Sequence, residues 1–215
     1  MGKKINGVLQ QGWLYSDKLG IAAELDGTGQ VVSRFIYGTR SNVPDLMIKS
    51  GITYRILSDQ RGSPVLVIDT SSGQTIQYRT YDEFGNITAD TNPNLHPIGF
   101  AGGLYDSDTG LTRFGARDYD PGTGRWTAKE PLLFGGGDTN FYSYVFNDPI
   151  QMLDPTGLDS MCYDGTMLSI YNDAGQRVLM RPATSATRRS PTSRTCPARA
   201  GAPAASTRWP AAPRW

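Results

Sequence analysis

The sequence predicts a mainly β protein, and this prediction rests on its composition, on an internal repeat and on alternating apolar runs between turn residues. Hydrophobic residues make up 38% of the 215 residues, and Gly and Pro together number 39. This balance is typical of many short strands and turns rather than of helices. We therefore expect a fold built from β-hairpins.

The internal repeat covers two stretches of the first 81 residues. Residues 15–37 read YSDKLGIAAELDGTGQVVSRFIY, and residues 57–81 read LSDQRGSPVLVIDTSSGQTIQYRTY. Equivalent positions are 42 to 44 residues apart: Ser16-Asp17, Gly20, Asp26, Gly29-Gln30 and Tyr37 correspond to Ser58-Asp59, Gly62, Asp69, Gly73-Gln74 and Tyr81. In each copy, Asp and Gly supply the side-chain hydrogen bond and the positive φ that a hairpin turn needs. Such hairpins bury their apolar faces only against their neighbours.

Charge divides the chain near residue 180. Residues 181–215 hold seven Arg and no acid, whereas residues 1–180 hold the other 14 basic residues and all 20 acidic ones, so their formal charges are +7 and −6. An acidic body argues against a nucleic-acid partner. No apolar run has the length of a membrane span or of a signal peptide.

The body of the chain offers no sign of a cofactor or metal site. Both cysteines, Cys162 and Cys196, lie in the last quarter, so we predict neither a disulfide framework nor a Cys-based metal site. The single histidine, His96, lies in the turn-like segment NPNLHPIG. We expect it at the surface rather than as a ligand or general base.

Residues 98–127, IGFAGGLYDSDTGLTRFGARDYDPGTGRWT, carry the most specific pattern in the chain. Their Asp-x-x-Thr-Gly and Asp-Pro-Gly-Thr-Gly segments are turn formers, and the aromatic residues between them are expected to pack on one face of the strands. Together with Tyr81-Asp82-x-x-Gly85-Asn86, the pattern resembles the RHS/YD-repeat family and its RHS-associated core. The matching core positions are Phe100, Gly102, Asp106, Thr109-Gly110-Leu111, Arg117, Tyr119-Asp120-Pro121 and Gly124-Arg125-Trp126. The resemblance extends over residues 10–158.

The resemblance implies four successive parts of the chain. Residues 1–97 would form YD-repeat β-hairpins of an RHS-type β-shell, and residues 98–158 the RHS-associated core. Residues 159–180 would begin a variable, toxin-like segment, whose hairpin resembles the opening of L,D-transpeptidase-like toxins. Residues 181–215 would form a basic disordered tail, because they lack Ile, Leu and Val. Their composition fits either a shifted reading frame or a tail that binds an acidic surface.

In this family the shell encloses a C-terminal cargo and cuts itself after the motif P-x-x-x-x-D-P-x-G-L. The chain matches the motif at Pro149, Asp154-Pro155 and Gly157-Leu158, which implies a cut between Leu158 and Asp159. The implied chemistry is of the aspartic-protease type, in which two carboxyl groups share a proton and activate water.

Asp154 is the first implied acid, and Glu130 is the second. The family places an aspartate after its G-R-W motif, and Glu130 stands at that position after Arg125. A glutamate is one methylene longer, which matters where the geometry tolerates errors of about 0.5 Å. Asp138 and Asp148 are fallback partners, and each is also explained as a turn residue that caps its own backbone.

The expected function is that of a shell and core segment of a polymorphic toxin used in bacterial competition, acting at most as an autoprotease on its own chain. Expected partners are its own C-terminal segment as cargo, the rest of an RHS shell and a secretion apparatus, with a secreted or cell-surface location. The alternative is a secreted or cell-surface YD-repeat module for contact or carbohydrate binding, without cleavage. A third interpretation is a truncated, inert remnant, because complete shells need many more repeats.

Overall fold

The computed structural model describes residues 1–17, 19–40, 42–131, 140–163, 167–172 and 177–182. In these residues the regular structure is antiparallel β-sheet, apart from two short 3-10 helices at Phe100–Gly102 and Val145–Asn147. The predicted fold class is therefore confirmed. None of the helices in this part of the chain is long and apolar enough to cross a membrane.

The first sheet is a nine-stranded meander in which each strand pairs antiparallel with the next strand in the chain. Odd-numbered strands therefore all run in one direction and even-numbered strands in the other. The strands are β1 (Gly2–Ile5), β2 (Val8–Tyr15), β3 (Ile21–Asp26), β4 (Val31–Ile36), β5 (Leu46–Lys49), β6 (Ile52–Ser58), β7 (Pro64–Asp69), β8 (Thr75–Tyr81) and β9 (Ile87–Asp90).

Two four-stranded meanders follow the first sheet. The second sheet contains β10 (Leu104–Tyr105), β11 (Thr112–Phe114), β12 (Arg117–Asp120) and β13 (Arg125–Trp126), and the third contains β14 (Met152–Leu153), β15 (Asp159–Tyr163), β16 (Met167–Asn172) and β17 (Arg177–Pro182). The hairpin predicted after residue 160 lies in β15 to β17. The last strand includes the first two residues of the predicted tail, and residues 183–215 lie outside the described residues.

Aspartate side chains shape the repeat turns as the sequence predicts. Asp26 Oδ1 accepts hydrogen bonds from the backbone N–H groups of Thr28 and Gln30, at 2.8 and 2.9 Å. Within the same turn, Gly29 has a φ of +86°, a region that glycine enters at little cost. In the second copy Asp69 Oδ1 accepts hydrogen bonds from the N–H groups of Ser71 and Ser72. Each copy therefore reverses the chain with a turn that is capped by its own aspartate, and the second turn is one residue longer.

The inner face of the first sheet packs around the segment that follows β9. Lys49 Nζ donates a hydrogen bond to the Leu95 carbonyl at 2.7 Å, and the Gln77 amide donates to the Asn92 carbonyl at 2.8 Å. The apolar side chains that form this inner cluster are Trp13, Ile21, Phe35, Met47, Ile56, Val67, Ile98 and Leu104. The sheet therefore bends around residues that come later in the chain.

The first strand also reaches across to the second sheet. Lys3 Nζ binds Asp106 Oδ1 and, at 2.6 Å, Asp108 Oδ2 in the turn between β10 and β11. Lys3 and Asp90, which lie on the first and last strands of the first sheet, line one and the same cleft. The first sheet is thus curled, with its two edges facing a common space.

An aromatic cluster formed by the second sheet and by segments on either side of it docks on the repeat turns. Ser63 Oγ accepts a hydrogen bond from the Ala101 N–H at 3.1 Å, and the Tyr119 hydroxyl donates to the Phe84 carbonyl at 2.8 Å. The buried members of this cluster are Phe100, Ala101, Phe114, Tyr119, Trp126, Tyr144, Val145 and Met152. The aromatic residues of the predicted core thus pack together, and they hold the hairpin turns of the first sheet.

His96 is buried, so its predicted surface position is wrong. Its side chain belongs to a residue that is 3% exposed, and Nδ1 accepts a hydrogen bond from the Ile98 N–H at 3.2 Å. Burial, helped by the positive charge of Arg79, lowers the pKa of His96 to about 3. The turn-like sequence suggested exposure, but this segment follows the inner face of the sheet, which covers it.

We expect the NMR signals of the His96 ring, the only histidine ring in the chain, to show no titration between about pH 8 and pH 5. The unfolded chain, with a pKa near 6.5, binds a proton that the folded chain does not, so stability falls as the pH drops from 6.5 toward 3. In urea unfolding, His96→Asn should weaken this pH dependence. A folded-state midpoint near 6.5 would contradict the burial of the ring.

We expect Gly85→Ala to destabilise the fold more than Gly73→Ala. Both glycines have positive φ, +93° and +72°, but a Cβ at Gly85 would overlap the Phe100 ring, whereas one at Gly73 would have no atom within 4 Å. The left-handed backbone alone costs about 1 to 2 kcal/mol, and the overlap adds about 1 to 3 kcal/mol. Urea unfolding measures both losses, and equal losses would contradict the packing of Phe100 on this turn.

Candidate functional site

The turn after β14 contains the predicted motif residues. Asp154 is 3% exposed, and its Oδ1 accepts hydrogen bonds from the Thr156 N–H, the Thr156 hydroxyl and the Leu158 N–H, at 3.2, 3.0 and 3.2 Å. Pro155 and Gly157 are buried, whereas Leu158 is 38% exposed. Asp154 therefore closes the turn directly before the predicted cut and leaves its last residue near the surface.

A buried guanidinium joins the two predicted acids. Arg117 Nη1 lies 2.8 Å from Glu130 Oε2, and Arg117 Nη2 lies 3.4 Å from Asp154 Oδ2. Arg117 Nε donates to the Gly157 carbonyl at 2.6 Å, and the guanidinium carbon lies 4.1 Å from the centre of the Trp126 ring. The side chains of the three charged residues are only 4% to 10% exposed. Arg117 thus binds both carboxylates and the main chain of the motif.

The tip of the β11–β12 hairpin supports the same turn from another side. The Ala116 N–H donates to the Thr156 carbonyl at 3.0 Å. A Cβ at Gly115 would lie 2.5 Å from that carbonyl oxygen, and a Cβ at Gly157 would overlap the Phe114 carbonyl. Both positions have positive φ. The two backbones approach closely here because neither glycine carries a side chain.

The charges of this site are concentrated in a small buried volume. With all three side chains ionised, Arg117, Glu130 and Asp154 carry a formal charge of −1, which one bound proton would neutralise. Tyr144 lies beside them and is 1% exposed. Burial and the negative charge of Asp154 raise the pKa of Tyr144 well above its ordinary value, so its ring is a neutral neighbour of the acids.

The other predicted site residues lie elsewhere. Asp148 Oδ1 accepts a hydrogen bond from the Gln151 N–H at 3.2 Å, as in a turn that is capped by its own aspartate. Pro149 is buried, and Arg125 is exposed on β13. Asp138 lies outside the described residues. Of the four candidate acids, the structure therefore brings Glu130 and Asp154 to one guanidinium.

The predicted cut lies at the start of a strand. β15 begins at Asp159, and its residues Met161 and Cys162 pair with Leu153 and Met152 of β14. The third sheet therefore contains strands from both sides of the Leu158 to Asp159 bond.

Sequence reasoning missed Arg117 as a site residue, although a signal for it was available. Side chains alternate between the two faces of a strand, so Arg117 must share a face with Tyr119 on β12. Both are buried, at 4% and 0%. A buried guanidinium needs acidic partners, and the two implied acids are the natural choice.

Tandem antiparallel hairpins that curl around an aromatic core segment define the class of this protein as a YD-repeat β-shell. The family model described as Teneurin YD-shell matches residues 1–150, and the chain belongs to this family. The predicted relation to RHS/YD-repeat proteins is thereby confirmed.

The similar proteins are much longer than this chain. Teneurin-1 of Gallus gallus is 35% identical over 125 residues, which cover 55% of this chain and 5% of the relative. Teneurin-3 of Danio rerio is 34% identical over 133 residues, covering 57% and 5%. The crystal structure of TcdB2-TccC3-TEV matches with a TM-score of 0.55 and 25% identity, over 73% of this chain and 8% of that one. The chain thus spans only about 5% of the curated relatives that it matches.

We expect Arg117→Ala to cost about 3 to 5 kcal/mol in the free energy of unfolding, because it leaves two buried carboxylates without their cation. Arg113→Ala is the matched control. Arg113 pairs with Asp118 at 3.2 Å with both side chains more than a third exposed, so its loss should cost less than about 1 kcal/mol. Urea unfolding of both variants measures the difference, and similar small losses would contradict the central role of Arg117.

Proposed function

We propose that the chain is the closing segment of a YD-repeat shell that encloses the following chain and cuts the bond after Leu158. The shell role follows from the family and the fold. One observation carries the proposal of cleavage: the buried Glu130 and Asp154 both bind Arg117, whose Nε holds the Gly157 carbonyl. One side chain thereby holds the two acids and the carbonyl of Gly157, the residue before Leu158.

The proposed reaction is hydrolysis of one peptide bond by an aspartic-type pair. One carboxylate takes a proton from water, whose oxygen adds to the carbonyl carbon of Leu158, while the other carboxyl group protonates the carbonyl oxygen. The C–N bond then breaks, and a proton passes to the nitrogen of Asp159. The products are a carboxylate at Leu158 and an amine at Asp159, and the pair regains its single proton.

Asp154 is suited to the first role because its Oδ1 already binds the Leu158 N–H at 3.2 Å. Glu130 is the proposed second acid. The formal charge of −1 on the two acids and Arg117 suits this chemistry, because the pair needs one shared proton. The close approach of the β11–β12 hairpin restrains the turn, and an attack-ready arrangement contributes about 7 to 11 kcal/mol to such reactions.

Cleavage is tested by intact mass spectrometry under denaturing conditions. These conditions matter because β14 and β15 pair across the cut and would keep the two products together. The expected products contain 158 and 57 of the 215 residues. Asp154→Asn should abolish them, and Glu130→Asp should raise their yield by restoring the family's shorter acid.

Asp148→Asn is the matched control, because it removes an acid that lies in a neighbouring turn and caps its own backbone. It should leave the yield of the two products unchanged. The same two products from Asp154→Asn would refute the mechanism, since an amide cannot supply the proposed acid. Loss of cleavage in Asp148→Asn with an intact fold would move the second acid from Glu130 to Asp148.

The proposal extends to cargo, partners and location. The cargo would be the chain's own segment from Asp159 onward, and the partners would be the rest of an RHS shell and a secretion apparatus. The full-length protein would be bacterial, and secreted or at the cell surface, where it would act as a polymorphic toxin. These roles rest on the shell family and on the motif at Asp154 to Leu158.

A second candidate is a secreted or cell-surface YD-repeat module for contact or carbohydrate binding, without cleavage. The continuity of β14 and β15 across the bond favours it, since the third sheet needs strands from both sides. A sugar platform would have to use exposed rings such as Tyr78, which is 49% exposed, because the aromatic cluster is buried. An uncut chain that binds a neutral oligosaccharide would support this candidate.

A further inference from the structure

A buried tyrosine hydroxyl lies beside the candidate acids without a hydrogen bond of its own. Tyr144 is 1% exposed, and its hydroxyl has no hydrogen-bond partner among the described residues. Buried polar groups nearly always have a partner, because an unmatched donor loses its bonds to water on folding. A hydroxyl that is kept in such a position therefore points to a ligand of this site.

Aromatic rings enclose the Tyr144 side chain and leave its hydroxyl on the polar side of the cluster. The neighbouring rings, whose centres lie 4.3 to 6.3 Å from its own, belong to Phe100, Phe114, Tyr119 and Trp126. The hydroxyl oxygen faces the Asp154 N–H. Burial and the negative charge of Asp154 raise the pKa of Tyr144 well above its ordinary value, so the hydroxyl keeps its proton and is a donor.

The main chain directly after Tyr144 is strained. Val145, Phe146 and Asn147 have φ angles of +41°, +58° and +62°, in the left-handed region that residues with a side chain rarely adopt. The Asn147 N–H donates to the Tyr144 carbonyl at 2.8 Å and closes this turn. Such strain persists only where the surrounding structure over-determines it, and it clusters at active sites. Ring packing and backbone thus both fix the hydroxyl beside Asp154.

The carboxylate oxygens near this hydroxyl already have partners. Asp154 Oδ1 accepts from the main chain of its own turn, and Asp154 Oδ2 pairs with Arg117. Glu130 Oε2 binds the same guanidinium. A ligand of Tyr144 at this place has to accept from a hydroxyl and donate to a carboxylate in a small buried space. Water is the smallest molecule with both properties.

We propose that the Tyr144 hydroxyl holds the water that attacks the carbonyl carbon of Leu158. The inference rests on the proposed self-cleavage, to which it adds a catalytic residue. The water gives one proton to Asp154 and accepts a hydrogen bond from Tyr144, so one lone pair of its oxygen remains for the carbonyl carbon. Tyr144 keeps its proton throughout, and the bonds that form and break are those of the hydrolysis described above.

Tyr144→Phe tests the role of the hydroxyl, because it removes the oxygen and keeps the ring. We expect cleavage to slow about 10- to 100-fold, since the attacking water loses its orientation. Intact mass spectrometry of the full chain measures this rate during cell-free synthesis that is stopped with denaturant at timed intervals. Stability should not fall, because the hydroxyl has no partner among the described residues. Urea unfolding measures it in the Glu130→Gln background, which lacks the second acid and should stay whole.

Tyr119→Phe is the matched control from the same aromatic cluster. Tyr119 is 0% exposed, but its hydroxyl donates to the Phe84 carbonyl at 2.8 Å. Its loss leaves a carbonyl without its donor, so stability should fall. Cleavage by the folded chain should keep its rate within about twofold, because this hydroxyl already has a structural partner. The two variants should therefore have opposite effects, which a general loosening of the cluster cannot produce.

Three results would overturn the proposal. The first is cleavage of Tyr144→Phe at the wild-type rate, and the second is equal slowing by Tyr119→Phe. The third is a Tyr144→Phe chain that is destabilised or does not fold, since this would give the hydroxyl a structural role. A wild type that cuts while any of these holds would refute the role of Tyr144 alone and leave the proposed cleavage standing.

A wild type that stays uncut is decided by a measurement on the hydroxyl itself. The difference Raman spectrum between the wild type and Tyr144→Phe isolates the ring bands of Tyr144, whose relative intensities distinguish a donating hydroxyl from one without a partner. Donation in an uncut chain would refute the proposed cleavage and support the bound water. A hydroxyl that makes no hydrogen bond would overturn the inference for Tyr144.

Discussion

The interaction on which the structure depends is an aspartate that closes a turn by accepting backbone N–H groups two and four residues later. Asp59 accepts from Arg61 and Ser63 in this way, at 2.9 and 2.8 Å. Asp82 repeats the pattern at the next turn of the same end of the sheet. Each such bond fixes a chain reversal locally, and the reversal sets the register of the two strands that it joins. The aromatic cluster then packs against these turns.

The candidate site uses the same device for a second purpose. Asp154 Oδ1 caps Thr156 and Leu158 as the repeat aspartates cap their turns, while Oδ2 is left for Arg117. A related division occurs at Asp59, whose second oxygen binds the Arg61 side chain at 3.2 Å. The proposed acid thus differs from an ordinary turn aspartate chiefly in its burial and in the charges that surround it. The proposed cleavage would therefore need few changes to an ordinary shell turn.

Sequence reasoning recovered the features that are local and missed those that depend on distant contacts. The repeat, its turns and the strands follow from residues a few positions apart, because capping and alternation act over short distances. The positions of Glu130 and Asp154 came from a motif. His96 and Arg117 were misjudged or overlooked because their environments are built by parts of the chain far away in sequence. The burial of a polar side chain is a property of the assembled fold.

The contact between Lys3 and the turn at Asp106 has a consequence for biosynthesis. The two residues are 103 positions apart, so β1 must wait for its partner to be translated. At ribosomal rates of about 5 to 20 residues per second, this wait lasts roughly 5 to 20 s. For the part of this wait between the synthesis of Met47 and that of Ile98, the inner face with Trp13 and Met47 lacks the segment around which it packs. A nascent chain of this fold therefore exposes an apolar surface to water for seconds before the surface is covered.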